Sequence, residues 1–317
     1  MNIRYRILTF LAITFIFLEG ASAQQDAQYT QYMYNTMTVN PGYVGSRGQL
    51  SMAGLYRSQW VGLEGAPSTF TLNLHSPIRN SKLGYGVSIV NDEIGDGTVQ
   101  ETYLDAMVSY TIDVSRDAKL SFGLKAGGNI LSLDFAKLRN FDNEVVRTDN
   151  IDSRFSPNFG LGMYYHTNSF YAGLSAPNLL QTEYFDNTNR DASSVQFVSQ
   201  ERINFYFITG YVFDLNGNLK FKPALLTKVV GGAPLQVDLS ANFMFNDKFT
   251  FGAAYRWDAA LSALVGFQVS EQFMLGLAYD RETTELGGTQ FNDGSFEVFL
   301  RFELVRSFQR LVSPRFF

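Results

Sequence analysis

The sequence predicts an all-β chain, a transmembrane antiparallel up-and-down β-barrel of about fourteen strands. Three observations carry that expectation. Apolar residues alternate with small or polar ones at period two, in runs of about ten to thirteen residues, where strands of soluble domains usually have five or six. The joins between runs sort by parity: those after even-numbered runs are tight, as at Thr167-Asn168 and Asn246-Asp247, and several after odd-numbered runs are long, as at Ser132–Ser156, Leu180–Arg202 and Thr283–Gly294. A soluble sandwich has no reason to sort its loops this way. Aromatic residues mark the run ends: Phe249 and Trp257 bracket a segment that, as a strand tilted near 40°, rises roughly 20 Å along the membrane normal, close to the height of an apolar band with an aromatic girdle at each edge.

Composition agrees. The 317 residues include 29 Phe, 17 Tyr and 27 Gly but only 8 Pro, and charged residues make up 17%, below the roughly 25% of a typical soluble domain. The net charge of −5 argues against nucleic acid as a partner. Cysteine is absent, so stability must come from a core or from hydrogen-bonded closure rather than from disulfides.

Taken in order, residues 1–23 carry Arg4 and Arg6, an apolar stretch from Ile7 to Leu18, and Ala21-Ser22-Ala23. This is the pattern of a secretory signal peptide cut after Ala23, and the apolar stretch is too short for a membrane anchor. Residues 24–48 break the alternation. Asn40-Pro41-Gly42 reads as a turn, and Gly45 and Gly48 flank Arg47, so this segment is expected to be an ordered lead-in lying on the periplasmic side or in the barrel lumen. Residues 49–305 form the barrel, with strands starting near Gln49, Ser68, Leu83, Glu101, Lys119, Asn158, Phe170, Ile203, Leu219, Leu235, Lys248, Ala260, Gln272 and Ser295. No later run is long and apolar enough for a membrane helix. Residues 306–317, RSFQRLVSPRFF, are basic, contain Pro314, and by parity form a periplasmic tail.

Within the barrel, Leu120, Phe122, Leu124 and Ala126 alternate with Ser121, Gly123, Lys125 and Gly127, and Phe296, Val298, Leu300, Phe302 and Leu304 alternate with Glu297, Phe299, Arg301 and Glu303. The polar rows, which also hold Asp105, His166 and Arg256, must face the lumen, because a charge facing lipid at the midplane costs about 2–4 kcal/mol. The first long connection holds Arg57, Gln59, Trp60, Glu64 and Pro67. Trp60 suits a membrane interface, while Arg57, Gln59 and Glu64 either bind a partner or brace the barrel mouth.

Little here looks like a catalytic or cofactor site. The two histidines, His75 and His166, are not clustered in sequence, which is poor material for a metal centre or a Ser-His hydrolase. The Asn91–Thr98 stretch has carboxylates and glycines but not EF-hand spacing, so it reads as a turn. The acidic stretch 142–152 reads first as a solvated loop and only second as a cation or partner site. Gly123, Gly127 and Gly128 are strand glycines, not a phosphate loop.

Three blocks are less generic: Gln31-Tyr-Met-Tyr-Asn35, Asn40-Pro-Gly-Tyr-Val-Gly-Ser-Arg47, and Tyr56-Arg-Ser-Gln-Trp-Val-Gly-Leu-Glu-Gly-Ala-Pro67. With Asn91-Asp-Glu-Ile-Gly95 and the terminal Ser-Pro-Arg-Phe-Phe317, they resemble outer-membrane proteins of the PorP/SprF type from the type IX secretion system. The resemblance implies a Bacteroidota outer membrane, a role in protein secretion or gliding motility, and no enzymatic activity; no cofactor is expected. It also implies partners: secretion components on the periplasmic side, a large secreted or surface protein outside, and outer-membrane lipid around the barrel. Gln31, Tyr32, Asn35, Asn40, Pro41, Arg47, Arg57, Gln59, Trp60, Glu64 and Pro67 are the candidate partner-binding or structural residues. Two other functions compete on general grounds: a passive or gated transporter of small apolar molecules, and a barrel hydrolase using His166.

Overall fold

The computed structural model describes residues 28–134, 137, 150–181, 202–284, 287 and 292–304. The expected signal peptide, the 306–317 tail and most of the acidic 142–152 stretch lie outside them. The barrel strands are β1 (Ser51–Ser58), β2 (Ser68–Pro77), β3 (Leu83–Ile94), β4 (Val99–Asp113), β5 (Lys119–Leu133), β6 (Ile151–His166), β7 (Phe170–Ala176), β8 (Asn204–Tyr211, resuming at Phe213–Asn216), β9 (Leu219–Val230), β10 (Gln236–Phe245), β11 (Phe249–Arg256), β12 (Ala260–Gln268), β13 (Phe273–Glu282) and β14 (Ser295–Glu303). Each pairs antiparallel with its sequence neighbour, and β14 returns to β1 through the register Ser51↔Glu303 to Ser58↔Phe296. An even strand number is what lets an antiparallel meander close without a parallel seam.

Closure leaves two kinds of end. The tight turns share one end, among them Asn246-Asp247, where both residues have φ of 52°, as a two-residue hairpin of matching twist requires. The joins after odd-numbered strands share the other. These are called below the short-turn end and the long-loop end.

Alternation sorts the two faces as expected. Leu124 is 57% exposed, Val265 56% and Leu300 53%, all on the outside, while inward-facing Glu297 is 1% exposed and Asn242 1%. Lys125, His166, Arg301 and Glu303 are also buried. A sheet with an apolar exterior and a polar interior is inverted relative to a water-soluble barrel, and it fits a hydrocarbon surround. No helix among the described residues is long and apolar enough to cross a membrane; the crossing is made by strands.

Two details depart from the sequence reading. Strand lengths run from 7 residues in β7 to 16 in β6. The longest starts at Ile151, not near Asn158, because Arg154–Pro157 continue the pairing with Gly128–Leu131 of β5. Polar residues hide this extension: Asp152, Ser153 and Arg154 are all exposed, so at the rim no alternation is imposed on them. Strand β8 is broken at Val212, which is buried and donates its N–H to the Ser169 carbonyl at 2.8 Å.

Candidate functional site

The lumen contains a folded segment of the same chain. Residues 28–48 run from the long-loop end to the short-turn end and then turn into β1. Their only regular pieces are a one-turn helix α1 (Thr36–Val39) and a 3₁₀ turn at Pro41–Tyr43. Irregular backbone at this depth needs a partner for each polar group, and the wall supplies several of them.

At the long-loop end Glu297 accepts the Thr30 N–H at 2.5 Å and the Gln31 N–H at 2.9 Å. Arg57 Nη1 donates to Glu297 and to Asp280, at 2.6 Å each, and to the Thr30 hydroxyl at 2.9 Å. The Thr30 hydroxyl in turn donates to Asp280. The side chains of Arg57, Asp280 and Glu297 are 4%, 3% and 0% exposed. One guanidinium thus holds two carboxylates that would otherwise repel, and both carboxylates hold the segment. Beside them Arg256 donates to the Gln28 side chain at 2.9 Å and to Asp238 at 2.6 Å.

Midway, Asn73 donates to Asn35, the Tyr34 ring stacks on Phe299 with centroids 4.5 Å apart, and the Ser175 hydroxyl donates to the Val39 carbonyl at 2.8 Å. Asn40 does two jobs: its Nδ2 donates to the Met163 carbonyl at 3.0 Å, and its Oδ1 caps the 3₁₀ turn by accepting the Gly42 N–H at 2.8 Å. This turn lies directly on the wall. A Cβ placed on Gly162 would stand 2.1 Å from Asn40 Oδ1, and one on Gly123 would stand 2.2 Å from the Pro41 carbonyl carbon. Those two strand glycines are therefore required by close approach of the segment.

Near the short-turn end the Ser109 hydroxyl donates to the Val44 carbonyl at 2.7 Å, the Gly45 N–H donates to His75 Nδ1 at 3.1 Å, and Arg47 donates to Glu303 at 2.6 Å. His75 is thus an acceptor for the segment. His166 packs beside the Tyr164 ring. Among the described residues no group of three or more His, Cys, Asp or Glu is placed to hold a metal ion.

The Tyr56–Pro67 block, at the long-loop end, forms a brace. Gln59 donates its N–H to the Pro67 carbonyl at 2.9 Å, and Val61 donates its N–H to the Gly294 carbonyl and accepts the Asp293 N–H, at 2.8 Å each. The Trp60 indole donates to Glu282. Gly95 donates its N–H to the Gly65 carbonyl at 2.9 Å, so the Asn91–Thr98 stretch is a hairpin turn with a neighbour to support. Glu64 is exposed at the rim.

The structure therefore brings Gln31, Tyr32, Asn35, Asn40, Pro41 and Arg47 into the lumen, joins Arg57 to the first of them, and leaves Gln59, Trp60, Glu64 and Pro67 on the loop above. Sequence reasoning did not single out Asp280, Asn73, Ser109, Ser175 or Gly162 as partners of this segment. Asp280 had a visible sign: it breaks an inward row otherwise made of Met274, Gly276 and Ala278.

Above the segment, on the long-loop side, lies a small hollow open to solvent. Its floor is Gln28, Tyr29, Tyr32, Thr38 and Val39, and its walls include Lys125, which bonds Asp105 at 3.0 Å and Asn178 at 2.8 Å.

Comparison with known proteins places this architecture. The family model described as "Type IX secretion system membrane protein PorP/SprF" matches residues 21–302. No curated protein sequence matches. Among solved structures, the chain is similar to the outer membrane protein Omp33 of Acinetobacter baumannii, with 9% identity, a TM-score of 0.47, and coverage of 81% of this chain and 98% of that one. It is also similar to the toluene transporter TbuX of Ralstonia pickettii, with 8% identity, a TM-score of 0.47, and coverage of 85% and 93%. The family match spans nearly the whole chain: this protein belongs to the PorP/SprF family of type IX secretion system membrane proteins and is a multi-pass β-barrel of the outer membrane.

Proposed function

We propose that this barrel is a non-enzymatic anchor that links an exported substrate or surface adhesin to the type IX secretion or gliding apparatus. The long loops face the exported protein outside the cell, and the short-turn end with the basic tail faces secretion components in the periplasm. The observation that carries this reading is the use of the lumen. A conduit needs its bore, whereas here residues 28–48 occupy it and are tied to the wall from the Arg57 cluster at one end to the Arg47–Glu303 pair at the other. What remains for function is the two faces and the rim, where Trp60 and its loop are fixed in place rather than free to gate.

The filled lumen counts against transport of small apolar molecules, which predicts conductance or solute uptake by the purified protein. The hydrolase reading needs His166 as its base, and that side chain is buried against the Tyr164 ring, which counts against it.

The test is deletion of the gene together with affinity purification from gently solubilised outer membrane. Loss of surface display or release of one large protein, and co-elution of that protein with secretion components, is the expected result. Normal display of every such substrate would sink the proposal.

A further inference from the structure

The two ends of the lumen segment are held by charge clusters of opposite sign. At the long-loop end one guanidinium, Arg57, meets two carboxylates, Asp280 and Glu297, which leaves one negative charge in excess. At the short-turn end the balance reverses: two guanidiniums, Arg47 and Arg301, meet one carboxylate, Glu303, and one positive charge is in excess. Both cations approach the same oxygen. Arg47 Nε donates to Glu303 Oε1 at 2.6 Å, while Arg301 Nε stands 3.8 Å from that atom, beyond hydrogen-bonding reach. Arg301 Nη2 instead donates to the Met274 sulfur at 3.2 Å, and its guanidinium lies 5.9 Å from the centre of the Tyr34 ring. A thioether is a weak acceptor, and a guanidinium cannot shed its charge to suit it. Nearby His75 adds no negative charge, since its Nδ1 accepts the Gly45 N–H as a neutral ring does.

The clusters also differ in access. The side chains of Arg57, Asp280 and Glu297 are 4%, 3% and 0% exposed, whereas those of Arg47, Arg301 and Glu303 are 11%, 8% and 9% exposed. The second cluster sits at a mouth of the lumen: Glu303 is the last residue of β14, and its N–H donates at 2.9 Å to the Gln272 carbonyl in the tight turn before β13. A ligand can reach this cluster from solvent and cannot reach the other.

We propose that Arg47 and Arg301 form an oxyanion-binding site at the short-turn mouth, and that its occupant is a carboxylate side chain of a protein docked on that end. One carboxylate balances the one excess positive charge, whereas a phosphate dianion overshoots it. The planar fork of a guanidinium also matches the two oxygens of a carboxylate. That the docked protein is a secretion component rests on the reading of the short-turn end given above; the site itself does not.

The probe is a blocked tripeptide, acetyl-Gly-Glu-Gly-amide, added to the full-length protein purified in detergent, with acetyl-Gly-Gln-Gly-amide as its uncharged match. The readout is the midpoint of heat-modifiable migration, which rises with any ligand that binds the folded state alone. The Glu peptide at about 10 mM is expected to raise the midpoint by about 2 °C or more. The Gln peptide should leave it unchanged, and inorganic phosphate at equal ionic strength should raise it less than the Glu peptide does. Arg301→Gln should abolish the shift. Should that variant lose native migration, Glu303→Gln tests the site in the opposite direction: with the competing carboxylate gone, the same shift should need about tenfold less peptide. No shift with the Glu peptide, an equal shift with the Gln peptide, an Arg301→Gln variant that responds like wild type, or a Glu303→Gln variant that needs as much peptide as wild type each overturns the proposal. A larger shift with phosphate overturns the carboxylate occupant and assigns the site to free phosphate. Because neither secretion nor surface display is measured, failure here leaves the anchor reading standing, and failure of the anchor reading leaves this binding measurement standing.

Discussion

The wall and the segment inside it solve the same problem, hidden polar backbone, in opposite ways. In the wall every strand has two neighbours and every residue has one of two faces, so the rule is local and repeated: Leu124, Val265 and Leu300 are interchangeable instances of one instruction. The segment from Gln28 to Arg47 has no ladder. Its carbonyls and N–H groups meet Glu297, Ser175, Ser109 and His75 singly, each at its own position in the wall. The wall is therefore redundant and the segment is not. That difference explains why the irregular stretch of the sequence carries the specific residues.

The largest effect is expected where the two regions are joined by charge. Arg57→Ala leaves Asp280 and Glu297 buried together without their cation, and breaking a buried pair in this way costs about 3–5 kcal/mol. Urea refolding in lipid vesicles, followed by heat-modifiable migration, should show a midpoint loss of that size. A wild-type midpoint would mean that the cluster does not hold the segment. One step smaller is a violation of the wall's rule: Leu124→Arg on the exterior should cost about 2–4 kcal/mol in the same assay, decreasing as the site is moved toward the rim. If inward Ser121→Leu and outward Leu124→Arg cost the same, the assignment of faces is wrong.

Smaller again is a purely steric disturbance of the contact between them. Gly162→Ala puts a methyl group into Asn40 Oδ1, an overpacking of about 1–3 kcal/mol. The strand itself gains by losing a glycine, so the loss should fall on the segment. Limited proteolysis of residues 28–48 should accelerate while the barrel band persists. Unchanged protection of that segment would show that the turn at Pro41–Tyr43 can move aside.

This contrast also explains what was legible in the sequence. Alternation at Lys119–Ala126 or Phe249–Trp257 is set by neighbours in sequence and by two solvents, so strand number and facing followed from period two alone. At Asp152–Arg154 both faces are exposed, the pressure to alternate vanishes, and the extension of β6 was missed. The lumen segment was legible only as a departure from pattern. That Asn40 bonds Met163, that Gly162 is empty to admit it, and that Asp280 answers Arg57 are contacts between residues more than 100 positions apart. No local rule encodes them. The family resemblance marked the residues without saying that Gln31 to Arg47 lies inside the barrel or that Arg57 reaches back to it.

The smallest predicted effect is the sharpest control, because distance is held constant. Lys220 and Asp247 approach to 2.6 Å at the short-turn end, the same separation as Arg57 and Asp280, but their side chains are 18% and 65% exposed. Solvent screens this pair, and holding a long side chain in one geometry offsets much of the Coulomb gain, so exposed pairs of this kind contribute at most about 1 kcal/mol. Lys220→Met should therefore shift the urea midpoint by less than a third of the Arg57→Ala loss, and that small shift should disappear at high salt, since surface pairs are screened and buried ones much less so. The Arg57→Ala loss should persist in the same salt. Were the two variants to lose equal stability, or to respond equally to salt, the Arg57 cluster would be behaving as a solvated pair, and the lumen at that depth would have to be wet.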